Sequence, residues 1–254
     1  MRVVILAAGY GTRLYPLTIN LPKPLITVND KPIVNFLVEK IEALRVKHGI
    51  EEVFVVSNNR FYHKFVEWKK NYEINVEILN DGSDRPDDRL GAIKDMKFAI
   101  GKKGGDWLIV GGDNIFDDDL DKFLTQALAN APFVTVGLHD VQTKERAAHF
   151  GVVKLAKKNI VARMEEKPKK PFSTLASSCV YFFPADSLLM LDDFVDAGRD
   201  CDAAGKYIVW LVKNTKVYGH ILKGRWFDIG SQDSLDMANR HFSPDEIKLK
   251  LLEK

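Results

Sequence analysis

The sequence predicts an α/β protein built on a mostly parallel sheet flanked by helices, with a smaller second subdomain. Three observations carry this. Short apolar runs of buried-strand type alternate with helical stripes up to about residue 140, the pattern of strand–helix–strand units. The 254 residues, 46% hydrophobic and 28% charged, suit one domain with a sizeable core and no staples. The stretch after residue 140 is less regular and shows no linker. It therefore reads as a subdomain sharing the sheet, which gives one domain over 1–254 with halves 1–140 and 141–254.

The elements follow in order. Arg2 to Ala8 is a continuous apolar run, hence a buried strand. A glycine-bearing loop leads to Pro32, which opens a helix with Ile33, Phe36, Leu37, Ile41 and Leu44 on one face and Gly49 placed to end it. Glu51 to Ser57 is the second strand, and Phe61, Phe65 and Trp68 mark the second helix. A strand over Asn75–Leu79, a polar loop over Asn80–Arg89 and a helix over Gly91–Ile100 come next. Trp107 to Val110 is a short strand, Leu120 to Leu128 a helix and Pro132 to Leu138 a strand. In the second half, Phe150–Leu155, Ser177–Phe183 and Thr215–Leu222 read as strands. Asp186–Asp196, Tyr207–Val212, Ser231–His241 and Pro244–Leu252 read as helices.

Composition excludes several classes. Thirty-seven Lys and Arg against 35 Asp and Glu leave a net charge of +2, too small a field to imply nucleic acid or an acidic membrane as partner. Cys179 and Cys201 are too few for a disulfide framework or a Cys-based zinc site. No apolar stretch approaches the ~18 residues that cross a bilayer, and Met1 to Ala8 lacks the form of a signal peptide. The expected compartment is the cytoplasm.

The loop Ala7-Ala8-Gly9-Tyr10-Gly11-Thr12-Arg13-Leu14 leaves the carboxyl end of the first strand, where open α/β sheets bind ligands. Glycines let backbone N–H groups approach a phosphate, and an arginine adds bidentate pairing. Leu14 stands where a dinucleotide fingerprint needs glycine, and Gly-Thr-Arg-Leu is not a P-loop. Pro22-Lys23-Pro24 stiffens the chain around one lysine, a fixed cation for a phosphate or a solvated side chain. Asp113 and Asp228 each sit just past an apolar run beside glycine. Singly, Asp113 reads equally well as a helix N-cap and Asp228 as a turn residue. As a pair they suit a magnesium ion, which takes one or two carboxylates plus substrate phosphates.

Leu6 to Pro16 followed by Pro22-Lys23-Pro24 resembles the signature of the sugar-1-phosphate nucleotidyltransferases. Four further segments resemble that family in the same order: Val110-Gly111-Gly112-Asp113-Asn114, Phe150-Gly151-Val152-Val153, Glu165-Glu166-Lys167-Pro168 and Trp226-Phe227-Asp228-Ile229-Gly230. The resemblance implies a Rossmann-like fold and transfer of a nucleotidyl group from an NTP to a sugar 1-phosphate, with Mg²⁺ held by Asp113 and Asp228. It implies that Ala8, Gly9, Gly11, Thr12 and Arg13 bind the triphosphate, with Arg13 on the leaving pyrophosphate and Lys23 on the α-phosphate. It assigns Asn80 and Gly91 to the nucleotide. Gly151, Glu166, Lys167 and Ser178 go to the sugar phosphate, and residues 1–140 become the nucleotide half. Glu166 and Lys167 are adjacent, so on an extended strand they point to opposite sides.

Two departures bear on substrate. Arg89 stands where the family has a glycine in its base loop, and Ser177-Ser178-Cys179 replaces a common Thr-Gly pair. Cytidylyl transfer to phosphocholine or another small phosphoalcohol stays open, as does a non-catalytic regulator on the same fold. The resemblance allows a homo-oligomer. The chain ends at Lys254, so a following acyltransferase β-helix is not expected.

Overall fold

The computed structural model describes residues 1–243. The helix expected over Pro244–Leu252 lies outside the described residues. Strand β1 (Arg2–Leu6) is central, with Val3 and Ile5 facing one layer and Val4 the other. The loop after it carries a two-strand hairpin, β2 (Thr27–Val28) and β3 (Lys31–Pro32). Helix α1 (Ile33–Leu44) starts directly after Pro32, buries Ile33, Leu37, Ile41 and Leu44 of the predicted face but leaves Phe36 half-buried, and ends at Leu44, short of Gly49. Strand β4 (Glu52–Ser57) leads to α2 (Asn59–Asn71), where the Asn58 side chain accepts from the Phe61 N–H at 2.9 Å, a side-chain N-cap. Then come β5 (Glu77–Asn80), α3 (Ala92–Ile100), β6 (Trp107–Gly111), β7 (Asn114–Phe116), α4 (Asp121–Ala129) and β8 (Val134–Asp140).

The second half adds α5 (Lys144–Ala147), β9 (Gly151–Leu155), β10 (Val161–Glu166) and β11 (Leu175–Phe183). It continues through α6 (Leu189–Asp196), α7 (Ala204–Asn214), β12 (Val217–Ile221), β13 (Trp226–Asp228) and α8 (Gln232–His241). Sequence patterning missed β10. It is an edge strand whose exposed positions are Ala162 and Arg163 and whose last two residues are half-buried glutamates, so no apolar run marks it.

Nine strands form one sheet in the order β10-β9-β11-β6-β1-β4-β5, with β8 on β11 and β12 on β8. Strands β6, β1, β4 and β5 are mutually parallel. The second half joins in antiparallel sense through β11, so the sheet is mixed. Tyr181 of β11 faces both Ile109 and Val136, and Ala176 faces both His139 and Val152. Strands β6 and β9 therefore share one edge of β11, with β8 on the other. The change of partner falls at an irregularity between Ser177 and Tyr181, where Cys179 takes φ 54°.

Helices cover both faces. One layer packs α1, α2 and α4 through Leu37, Ile41, Phe65, Trp68 and Phe123. The other packs α3, α6 and α7 through Ile93, Met96, Phe194, Tyr207 and Leu211. A third, small cluster joins Leu14 and Ile26 of the N-terminal loop to Ile115, Phe227, Ile229 and Leu235, fixing that loop against the β7–β13 ribbon. No helix among the described residues is long and apolar enough to cross a membrane.

Candidate active site

A cleft of about 480 Å³ opens at the carboxyl ends of β1 and β6. Both halves of the chain line it. The first half contributes Ala8, Gly9, Gly11, Thr12, Arg13, Lys23, Gly91 and Asp113, and the second Gly151, Glu166, Lys167 and Asp228. These are the residues singled out in the sequence, except Asn80 and Ser178.

The phosphate-loop candidate bends at Gly11, which takes φ 62°, a conformation open to glycine at no steric cost. The Thr18 hydroxyl donates to the Gly11 carbonyl at 2.7 Å and ties the bend down. Arg13 sits on the short 3-10 turn that follows. Its guanidinium nitrogens lie 3.7 Å from where a side chain on Gly230 would begin, which sets Arg13 beside the Asp228 turn.

Asp113 and Asp228 converge on one cation. Strand β13 pairs with β7 so that Asp228 faces Asn114, and the Ile229 N–H donates to the Asp113 carbonyl at 3.1 Å. The Lys23 ammonium lies between the carboxylates, 2.6 Å from Asp113 Oδ2 and 3.6 Å from Asp228 Oδ1. Burial alone would lower the Lys23 pKa, but Asp113 and Asp228 outweigh it and raise it. Burial, then the charge of Asp113, raises the Asp228 carboxyl. Both effects are those expected of two carboxylates crowded into one partly dry site around a cation.

The donor set suits a hard divalent ion. Among the described residues no group of three or more His, Cys, Asp or Glu side chains comes together to hold a metal. An ion at Asp113 and Asp228 would therefore complete its shell with phosphate oxygens and water.

Asn114 is a residue whose role patterning missed. Its Nδ2 donates to Asp113 Oδ1 at 2.8 Å and to the Gly111 carbonyl at 3.2 Å, while its Oδ1 accepts from Trp226 Nε1 at 2.7 Å. It fixes both an acidic oxygen and the Trp226 wall of the cleft. A motif of alternating donors and acceptors at one side chain has no sequence period to reveal it.

On the second half, β9 and β10 bring Glu166 opposite Gly151. A side chain at Gly151 would start 2.9 Å from Glu166 Oε2, and one at Gly205 would start 2.1 Å from it. The carboxylate is thus wedged between two glycines, and burial raises its pKa despite Lys167 and Lys206. The expectation that Glu166 and Lys167 point to opposite sides fails. Strand β10 ends at Glu166 and Lys167 takes φ 46°, so the two-residue alternation stops and both residues line the same cleft.

Two assignments are corrected. Ser178 is fully buried and donates to the Gly137 carbonyl at 2.9 Å. Its neighbours Ser177 and Cys179 line the cleft instead, as alternation along β11 requires. Asn80 donates to Asn59 Oδ1 at 2.7 Å and accepts from the Gly82 N–H at 2.9 Å, and it is not among the cleft residues. Gly91 does line the cleft, at φ 88°, with the Cys201 carbonyl 2.6 Å from where a side chain would begin.

Comparison with known proteins matches this geometry to a family. Residues 2–243 match the family described as Nucleotidyl transferase. The Bifunctional protein GlmU of Methanocaldococcus jannaschii is 31% identical over 241 residues, covering 95% of this chain and 54% of that protein. A Glucose-1-phosphate adenylyltransferase of Thermomicrobium roseum is 28% identical over 287 residues, covering 99% of this chain and 61% of that protein. The chain thus spans a little over half the length of these curated relatives. A crystal structure from Bacillus anthracis, assigned as a glucose-1-phosphate thymidylyltransferase and holding a sucrose, has the same fold. Its TM-score is 0.78 at 23% identity, over 94% of each chain. The chain is a member of the nucleotidyl transferase family.

Proposed function

We propose that the chain joins a nucleoside triphosphate to a sugar 1-phosphate, giving an NDP-sugar and pyrophosphate. One observation carries the reading: Lys23 lies between Asp113 and Asp228 in a cleft lined by the glycine–arginine loop on one side and by Glu166 and Lys167 on the other. The names of the relatives support it, since one of them is an adenylyltransferase for glucose 1-phosphate.

In this scheme an oxygen of the sugar phosphate forms a bond to the α-phosphorus, and the α–β bridging bond breaks. The electron pair leaves with pyrophosphate. The attacking oxygen is already anionic, so no general base is needed, and catalysis is positioning plus neutralisation of charge. Gly9 and Gly11 let the backbone wrap the triphosphate, and Arg13 holds the departing pyrophosphate. Lys23 turns its ammonium from the carboxylates toward the α-phosphate. Lys167 holds the sugar phosphate in line, and Glu166 accepts from sugar hydroxyls. Mg²⁺ held by Asp113 and Asp228 would neutralise phosphate charge. A half-buried carboxylate beside the proposed sugar-phosphate position favours a polyhydroxylated acceptor over a small phosphoalcohol. The working compartment we infer is the cytoplasm, where nucleoside triphosphates are supplied.

The test is pyrophosphate release from five nucleotides (ATP, CTP, GTP, UTP, dTTP), each mixed with a panel of sugar 1-phosphates and Mg²⁺. Release with at least one pair supports the reading. Tight nucleotide binding without release from any pair would overturn it in favour of a regulator.

A further inference from the structure

A second cavity, of about 560 Å³, shares Trp226 with the cleft as a common wall, and the scheme above gives it nothing to do. Three elements each bring an arginine to it: Arg146 on α5, Arg225 directly before β13 and Arg240 on the last turn of α8. Ion pairs to carboxylates form at Arg2, Arg45, Arg85, Arg89 and Arg163 but, among the described residues, at none of these three. The one carboxylate among the described wall residues is Asp140, which accepts from the Gln142 N–H at 2.9 Å.

The wall is built rather than incidental. Arg225 Nη1 lies 2.6 Å from His241 Nδ1, and a guanidinium only donates, so the imidazole accepts. His241 Nε2 then carries the proton and donates to Asp117 Oδ1 at 3.1 Å, while the Arg225 backbone N–H donates to Asp117 Oδ2 at 3.0 Å. Arg225 is thereby held at both ends. On the opposite wall the His139 ring meets Trp226 edge-on, centroids 5.8 Å apart. Burial, then the charge of Arg146, lowers the His139 pKa, so at neutral pH that ring adds no charge. Three guanidinium groups against one carboxylate leave a surplus of two positive charges. A phosphate monoester carries about −1.5 to −2 at neutral pH, and arginine forks grip such an oxyanion bidentately. The cavity is far larger than a lone ion and of the size that holds small organic ligands.

We infer that this cavity is a second ligand site, taking a small organic phosphate monoester as an effector: Arg146, Arg225 and Arg240 hold the phosphate, and Trp226, Phe227 and Met237 meet the carbon skeleton. The path to the cleft is short. Trp226 lines both cavities and donates to Asn114 Oδ1 at 2.7 Å, and Asn114 Nδ2 holds Asp113 Oδ1 at 2.8 Å. Two side chains thus separate the bound effector from the acidic pair. The site itself stands without the transferase reading; its effect on turnover rests on that reading.

The experiment titrates inorganic phosphate, glycerol 3-phosphate, ribose 5-phosphate, glucose 6-phosphate and succinate into three proteins by calorimetry. These are wild type, Arg146→Ala/Arg240→Ala, and Arg13→Ala/Lys167→Ala, which removes two cations of the cleft. At least one monoester should bind wild type and the cleft variant alike, about tenfold or more tighter than inorganic phosphate or succinate. Its affinity should fall roughly 10- to 100-fold in the Arg146→Ala/Arg240→Ala protein. Both of those arginines are exposed, so Tm and activity without a probe should match wild type. Arg240→Glu should weaken binding in the same way. Binding lost in the cleft variant instead, equal affinity for inorganic phosphate, succinate and every monoester, or no binding at all would overturn the site. At saturation the bound monoester should change kcat/KM about fivefold or more in wild type and leave the Arg146→Ala/Arg240→Ala protein unaffected. The same response in both, or none in wild type, would overturn the effector role. If no substrate pair is turned over, the transferase reading fails, and the site is still decided by calorimetry. The effector role is then decided by whether Mg²⁺ with ATP, CTP, GTP, UTP or dTTP shifts the affinity for the monoester.

Discussion

Trp226 Nε1 donates to Asn114 Oδ1 at 2.7 Å, joining β7, which starts directly after Asp113, to β13, which ends at Asp228. The bond is buried, so its loss leaves a donor without compensation. Asn114→Ala should cost about 1–3 kcal/mol of stability and lower kcat, since Asp113 loses its tether. Asn114→Asp should keep an acceptor for Trp226 yet add charge beside Asp113, sparing stability more than activity. Chemical denaturation and steady-state kinetics on the two variants check this.

Asp113→Asn and Asp228→Asn should each lower kcat by at least ~100-fold, given the several kcal/mol that metal charge stabilisation contributes. The fold should persist, because asparagine keeps the volume and the backbone bonds of the ribbon. Full activity in either variant, with Mg²⁺ still required, would remove that aspartate from the metal site.

Gly205→Ala would place a methyl carbon 2.1 Å from the present position of Glu166 Oε2, inside van der Waals contact. The obstacle is the tip of a flexible side chain, so relief is cheap for the fold but displaces the carboxylate. The expected result is a rise in KM for the sugar phosphate with little change in Tm or in KM for the nucleotide. Equal changes in both KM values would show that Glu166 does not serve the sugar subsite.

Lys167, Lys169 and Lys170 are all exposed lysines within four residues. If Lys167 alone holds the sugar phosphate, Lys167→Ala should lower kcat/KM roughly 10- to 150-fold, as a charge-assisted contact of about 1.5–3 kcal/mol implies. Lys169→Ala and Lys170→Ala should stay within about threefold of wild type, since exposed charges contribute little. Equal small effects at all three would return Lys167 to the solvated surface.

Burial on α3, then the charge of Asp81, raises the Asp95 carboxyl and predicts a pH dependence of stability. Its folded pKa of about 8 lies above the ordinary 3.8, so between those values the folded protein holds a proton that the unfolded chain has lost. Stability therefore falls as pH rises through that window. Asp95→Asn removes the loss. Its Tm advantage over wild type should grow by at least about 3 °C between pH 5 and pH 8 and level off above. A constant difference across that range would mean that Asp95 ionises normally.

That Asp113 and Asp228 line one cleft was legible only from the pair, since each alone, just past an apolar run beside glycine, reads equally well as a cap or a turn. The place of the glycine–arginine loop in the cleft was legible because it leaves the carboxyl end of an apolar strand. Ser178 was not, because alternation decides which of Ser177, Ser178 and Cys179 faces the cleft, and the phase is set by a partner change inside β11. Lys167 was misread because one left-handed residue cancels the strand period. Asn80 was misplaced because its side chain satisfies a local turn and a helix-start neighbour, a choice fixed only in three dimensions. The raised pKa of Asp95 was invisible, since an acidic residue early in a helix ordinarily reads as a favourable dipole partner.

Strand β11 carries a geometric consequence for substrate alignment. It pairs through Val180 with β6, which leads to Asp113, and through Ala176 with β9, which begins at Gly151. The four residue steps between those points span at most about 13 Å of strand. If Asp113 and Gly151 mark the proposed nucleotide and sugar subsites, their spacing is carried by one stretch of hydrogen-bonded backbone that pairs with both strands. On the proposed transferase reading, the two phosphates would be held at a separation set when the chain folds, so binding alone would place them for reaction, without a further ordering step.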